Sequence, residues 1–387
     1  MEFTGASDIW NLFYIPLMVM TVISARKNWK ELIDDRLTVQ DRHLLLRIAL
    51  FLLLPVVVFF HEVGHAVAIV LFGGKVAEFH FGVMWGFVKS YSQFTPSEHV
   101  WIAFAGNLVE MLIGMASLGL AVVSKAPPLV AVSTYLGILS VGGAAVLYPL
   151  MSVTGCYGDW VQIYDSPAHV LVFGIGLFHG AVVALLFWGL FAPAPKMWFA
   201  AATDPAWAKS HAAVEAACER DPSFANLLAM GWSYFQGGLL SRAKAAAAAA
   251  DSVAPGSPQT LMLRASIALR ANSIEQAVSL FENVASQEGV HPRLAVEALL
   301  CLGDCKLNGN NPEAALKCYE RALGIMPEMA DLHFLKGLTL NMLGKHSAAE
   351  SELSCLDDPA LFWRNISLRE QVGEQLAQAT KGSGAKA

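Results

Sequence analysis

His61-Glu62-Val63-Gly64-His65 lies within twenty-five residues, Ile48 to Phe72, whose only ionisable side chains are the two histidines and the glutamate. A charged group at the centre of a bilayer costs roughly 2.5–3.5 kcal/mol on insertion scales, so three ionisable groups together need a compensating partner. A divalent metal is such a partner. Residues four apart on a helix project from the same side, which lets His61 and His65 each offer an imidazole nitrogen to a single Zn²⁺. Glu62 sits beside them, placed to take a proton from a water that the metal activates. Two rival readings use the same residues: an ion or proton pathway, and a non-catalytic membrane scaffold with a vestigial or structural metal site.

The surrounding chain is built for lipid. Of its 387 residues 55% are hydrophobic and only 15% charged, too apolar for an ordinary soluble protein. The excess lies in the first half. No charged residue occurs from Ala126 to Gly158, and from Ser166 to Pro195 the only ionisable side chains are His169 and His179. Segments 44–72, 100–124, 129–151 and 160–191 are each long enough to cross about 30 Å of hydrocarbon. Segment 9–25 is read as a fifth span that stays in the membrane, since no Lys or Arg precedes it as in a secretory signal. Residues 1–195 are therefore expected to form a polytopic helical domain in the lipid bilayer. Pro55, on the same helix as the histidine pair, removes a backbone hydrogen bond and is expected to shape the site.

Charge and cysteine usage narrow the setting. A net charge of -6 without clustering excludes nucleic-acid binding. Arg26, Lys27, Lys30, Arg36, Arg42 and Arg47 precede the histidine helix, whereas the loop after it carries only Lys75 and Lys89. This asymmetry places the basic segment and the C-terminal half in the cytoplasm. Cys156, Cys218, Cys301, Cys305, Cys318 and Cys355 form no zinc-knuckle pattern and read as free thiols in a reducing compartment.

Catalytic zinc takes three protein ligands and leaves one position for water. The candidates for the third are Glu110, Asp159, Asp165, His169 and His179. At about 1.5 Å per residue on a straight span, His169 lies roughly 15 Å and His179 roughly 30 Å from Asp159, so only one of those three reaches the metal. Asp159 follows Gly155-Cys156-Tyr157-Gly158 and opens the last span, where a helix N-terminus favours a carboxylate. A plain N-cap puts Asp in the same place.

These residues resemble the site-2 protease family of intramembrane zinc metallopeptidases. In that family a His-Glu-x-x-His helix is completed by an Asp at the start of a later membrane helix. His61, Glu62 and His65 match the first motif, and Gly158-Asp159-Trp160 matches the second, with Trp160 standing where Gly is usual. The resemblance implies that His61, His65 and Asp159 ligate Zn²⁺ and that Glu62 is catalytic. Ala105-Gly106-Asn107-Leu108-Val109-Glu110 aligns with the family's Ala-Gly-Pro-x-x-Asn, with Asn107 in place of Pro and Glu110 in place of Asn. Asn107 and Glu110 are thereby expected to contact the substrate backbone or to support the site. The family also implies a short sheet after the catalytic helix, and Lys75–Tyr91, with Phe79, Phe81, Val83, Trp85 and Phe87 alternating, is expected to form it.

The second half repeats. Small residues recur at Gly231, Ala265, Gly303 and Gly337, and again at Ala243, Ala277, Ala315 and Ala349, with separations of 34, 38 and 34 in both series. The extra four residues fall around Glu288–His291. This resembles the tetratricopeptide repeat, a pair of helices that touch at small positions. Residues 205–360 are expected to form such an array, binding a protein or peptide partner, and 380–387 to form a disordered tail. The fold class is thus all-α: a polytopic membrane domain followed by an α-solenoid. The activity expected is hydrolysis of membrane-protein substrates.

Overall fold

The computed structural model describes residues 6–34, 37–154, 158–369 and 371–384. Residues 155–157, including Cys156 and most of the break ahead of Asp159, lie outside the described residues. The chain divides into two compact units, one through Lys209 and one from Ser210.

The first unit contains helices α1 (Ala6–Lys27), α2 (Val39–Leu71), α3 (Pro96–Val123), α4 (Pro127–Val153), α5 (Asp159–Tyr164), α6 (His169–Phe191) and α7 (Pro193–Thr203). Among the described residues, α2, α3, α4 and α6 are long and apolar enough to cross a membrane. The 22-residue α1, read from the sequence as a fifth span, is helical but is not one of these. The span expected over 160–191 is interrupted. Helix α5 stops after Tyr164, and α6 begins only at His169, beyond Pro167, whose ring cannot continue the preceding helix.

Helices α2 and α4 share a backbone device. Each has a π-helical turn, Ala49–Leu53 in α2 and Gly143–Leu147 in α4, followed two residues later by a proline. The N–H groups of Leu54 and Tyr148 reach back five residues to Ala49 and Gly143. In the same pattern Pro55 and Pro149, having no N–H, leave the carbonyls of Leu50 and Ala144 without a partner in the helix. Lipid offers no donor, so side chains from elsewhere must supply one. The Tyr14 hydroxyl donates to Leu50, and the Trp160 indole N–H donates to Ala144 at 2.9 Å.

Helix α3 passes close to α2. A Cβ at Gly64 would stand 2.8 Å from the Ala105 carbonyl oxygen, so only glycine permits this crossing. After α2, Gly73 takes a φ of +78° and turns the chain into an antiparallel hairpin, β1 (Val76–Phe81) and β2 (Gly86–Ser90). The aromatic residues split between its faces. Phe79 and Phe81 pack on Phe59 of α2, whereas Trp85 and Phe87 lie against His80. The single alternation expected over Phe79–Phe87 fails because the connection at Gly82–Trp85, with Val83 at φ +66°, resets the pleat.

In the second unit, four helix pairs carry the repeat: α9 (Phe224–Gln236) with α10 (Leu240–Val253), α11 (Pro258–Arg270) with α12 (Ile274–Ser286), α13 (Pro292–Asn308) with α14 (Pro312–Leu323), and α15 (Ala330–Met342) with α16 (His346–Ser354). Helix α8 (Pro205–Arg220) precedes them. Both series of small residues lie where helices of the repeat touch, within a pair at Gly303 and Gly337 and against the next pair at Gly231. Ala243, Ala277, Ala315 and Ala349 are all fully buried. A Cβ on Gly231, Gly303 or Gly337 would come within about 2.6 Å of Leu263, Tyr319 or Leu353. Helix α17 (Val372–Gly384) continues to residue 384, where a disordered tail from 380 is expected from the sequence. Leu376 and the fully buried Ala379 anchor it to the cluster around Phe334 and Leu353.

Candidate metal centre

His61, Glu62 and His65 are buried in α2, at 7%, 5% and 7% exposure, so the surrounding protein must satisfy them. Gly106 of α3 makes the space. A Cβ there would stand 2.4 Å from His65 Nε2 and 2.7 Å from His61 Nε2, so the bare backbone of α3 runs directly past both imidazoles. The first residue of α5 closes the group from another side. Asp159 Oδ2 lies 3.2 Å from His61 Nε2 and 3.1 Å from His65 Nε2, and the two Nε2 atoms are 3.1 Å apart. Of the candidates for a third ligand, Glu110 reaches only His61 Nδ1, whereas Asp159 reaches the Nε2 atoms of both histidines, and the trio His61, His65 and Asp159 could hold a metal ion.

The far side of each imidazole fixes what faces the centre. His65 Nδ1 lies 2.7 Å from the Ile102 carbonyl, to which only an N–H can donate. His61 Nδ1 lies 3.0 Å from Glu110 Oε2, a carboxylate acceptor. With Nδ1 carrying the proton in both neutral rings, both Nε2 lone pairs point at each other and at the Asp159 carboxylate. Three lone pairs converging in this way repel unless a cation lies among them. A metal-ligating histidine ordinarily donates its other N–H to a carbonyl or carboxylate, which is the pattern here. The donor set therefore fits a divalent ion that takes nitrogen and oxygen ligands, such as zinc.

Asn107 and Glu110 are turned toward this group. Asn107 is fully buried, and its amide donates to Asp159 Oδ2 at 3.2 Å and to the Ala103 carbonyl at 3.2 Å. Glu110, 8% exposed, accepts from His61. Of the two roles expected for them, contact with the substrate backbone or support of the site, these contacts are of the supporting kind: Asn107 touches Asp159 and Glu110 touches His61. Asn107 directly follows Gly106 and Glu110 lies about one helical turn beyond it, so both face the crossing with α2.

Glu62 is the group left over. Its Oε2 is buried without a hydrogen-bond partner. Gly86, the first residue of β2, lies against it, since a Cβ there would stand 2.5 Å from Glu62 Cγ and 2.8 Å from Oε1. A buried carboxylate oxygen with no partner, one residue from a ligand position, is positioned to exchange a proton with a molecule that enters the site.

Several contributors were not singled out from the sequence. The Tyr148 hydroxyl accepts the Asp159 backbone N–H at 3.2 Å. The Ile102 carbonyl leaves no trace in side-chain chemistry. Gly106 and Gly86 act by lacking a side chain. Tyr148 alone offered a signal, as a polar ring beside Pro149 in an apolar span. His179, 2.6 Å from the Ala145 carbonyl and 2.7 Å from the Tyr164 hydroxyl, has both ring nitrogens engaged away from the metal group.

Comparison with known proteins divides the chain in the same way. Residues 37–191 match the family described as Peptidase M50B-like. Residues 262–325 and 300–354 match the tetratricopeptide repeat. No curated protein matches the chain. Similar solved structures include MamA, at 16% identity and a TM-score of 0.31 over 48% of this chain and 94% of that one. They also include the PilF protein of Pseudomonas aeruginosa, at 15% identity and a TM-score of 0.37 over 49% and 88%. The Cut9-Hcn1 hetero-tetramer of the APC/C is similar at 14% identity, with a TM-score of 0.35 over 87% and 55%. Over residues 37–191 the chain is thus similar to the Peptidase M50B-like, or site-2 protease, family, and over 262–354 to the tetratricopeptide repeat.

Proposed function

We propose that the protein is an intramembrane zinc metalloendopeptidase, with His61, His65 and Asp159 as the metal ligands and Glu62 as general base and acid. The observation that carries this reading is the convergence of three lone-pair donors beside a buried carboxylate oxygen that has no other partner. Zn²⁺ bound there supplies a Lewis acid that acidifies a water and polarises the scissile carbonyl.

The chain's own groups do the rest. Glu62 Oε2 takes a proton from the attacking water as its oxygen bonds to the carbonyl carbon. Glu62 then delivers that proton to the departing amide nitrogen as the carbon–nitrogen bond breaks. Glu110 and the Ile102 carbonyl hold the two imidazoles in the tautomer that presents Nε2. Asn107 and Tyr148 fix the Asp159 carboxylate and backbone. A helical peptide bond is hidden by its own hydrogen bonds, so the substrate segment must unwind before it reaches Glu62. The hairpin whose second strand begins at Gly86 has backbone groups at its edge that can pair with such a segment.

In this reading the repeat unit recruits a protein or peptide partner or regulator on the cytoplasmic side, a side supported by the basic residues from Arg26 to Arg47. The test compares membrane proteins accumulating in cells that express wild type or Glu62→Gln. Accumulation of uncleaved single-span proteins in the variant supports proteolysis, and identical profiles contradict it.

A further inference from the structure

The six-residue α5 carries Asp159, yet a helix of that length has little stability of its own. Something else must hold it. Trp160 and Tyr164, one turn apart on α5, both meet His179 of α6. The Trp160 ring stacks on the imidazole with centroids 4.1 Å apart, and the Tyr164 hydroxyl donates to Nδ1 at 2.7 Å. On its other side, His179 Nε2–H donates to the Ala145 carbonyl at 2.6 Å, and Trp160 Nε1–H donates to the Ala144 carbonyl at 2.9 Å.

One of these two carbonyls is available for a definite reason. The two are neighbours in the π turn of α4, where Pro149, having no N–H, leaves the Ala144 carbonyl without a donor in the helix. Trp160 is 2% exposed and Ile163 fully buried, packed with Val100, Phe104 and Met111 of α3. Trp160 also stands where the family resemblance leads one to expect glycine.

Resting on the metal site proposed above, the geometry points to His179 and Trp160 as positioning residues: together they clamp α5 to two carbonyls in the π turn of α4 and so keep Asp159 at the imidazoles. His179 acts through Asp159 and touches neither metal nor substrate. The clamp makes the register of α6 a determinant of metal affinity. Loss of outer contacts of this kind lowers metal affinity about 10- to 100-fold.

The experiment measures Zn²⁺ affinity of the full-length protein in detergent by chelator competition, with the absorption spectrum of the Co²⁺-loaded protein as a signature of the ligand set. His179→Ala is expected to bind Zn²⁺ about 10-fold more weakly and to shift the Co²⁺ bands toward those of Asp159→Ala. His179→Gln, which retains an amide donor and a carbonyl acceptor, is expected to recover most of the affinity. In an Asp159→Ala background, His179→Ala is expected to cost nothing further. Wild-type affinity in His179→Ala, or an equal loss with and without Asp159, would overturn the clamp. If His179→Ala does not purify intact, Trp160→Phe decides, because it retains a buried ring and removes only the donor to Ala144. Wild type that binds no Zn²⁺ would remove the metal site and the clamp together. A loss in Asp159→Ala but none in His179→Ala would remove the clamp alone.

Discussion

Both units of this protein use residues without bulk to bring backbones together, but what enters the space differs. In the repeat unit, Gly303 admits the ring of Tyr319 and Gly337 admits Leu353, so the missing Cβ is filled by apolar packing. In the membrane unit, Gly106 admits the Nε2 atoms of His61 and His65, and Gly86 admits the carboxylate of Glu62. A glycine that packs against carbon serves stability. Gly106 and Gly86 instead leave room for ionisable side chains.

Substitutions at the two kinds of glycine should therefore separate metal binding from folding. The largest effect is expected at Gly106→Val, whose side chain would occupy the position of the histidine nitrogens. Stoichiometric zinc, measured by elemental analysis of the purified protein, should be lost while the melting of the repeat unit is unchanged. Glu62→Gln should lower peptide hydrolysis by about 100- to 10,000-fold and leave zinc content intact, since it removes the proton carrier and no ligand. Zinc lost along with activity would place Glu62 among the ligands. Glu110→Gln, which weakens the acceptor behind His61, should reduce zinc affinity by about 10-fold in a chelator titration.

In the repeat unit the effects are thermodynamic. Gly303→Val overpacks against Tyr319 and should destabilise that unit by about 1–3 kcal/mol in a denaturant melt, with zinc content unaffected. The effect confined to alkaline pH concerns Cys301. Burial, then the neighbouring Asp304, pushes its thiol from 9.0 up to about 12. The folded state therefore retains a proton that the unfolded state releases above about pH 9, and stability should fall as pH rises from there toward 12. A Cys301→Ala variant should show a flatter pH profile over that range. An equally steep profile would remove Cys301 as the cause.

The repeat unit was legible because its signal is periodic: Gly231, Ala265, Gly303 and Gly337 keep step with Ala243, Ala277, Ala315 and Ala349, and periodicity survives without knowledge of contacts. The histidine pair and Glu62 were legible for the opposite reason, as isolated ionisable groups among apolar residues. Asp159 needed more. Spacing left it among several candidates, and only the family pattern raised it above His169 and His179. For Asn107 and Glu110 two roles stayed open, because a sequence does not state which face of α3 meets α2, and that is decided by the crossing at Gly64 and Gly106. The break at Asp165–Ala168 was hidden by strong hydropathy on both sides, although Pro167 marked it. The Ile102 carbonyl had no sequence signal at all.

The most direct measurement of the central claim is the zinc content of full-length protein purified in detergent, taken for wild type and Asp159→Ala side by side. The account predicts one tightly held zinc per chain in wild type and its loss, or a large drop in affinity, in the variant. Wild type free of zinc after zinc loading, or a variant that holds it undiminished, would contradict it.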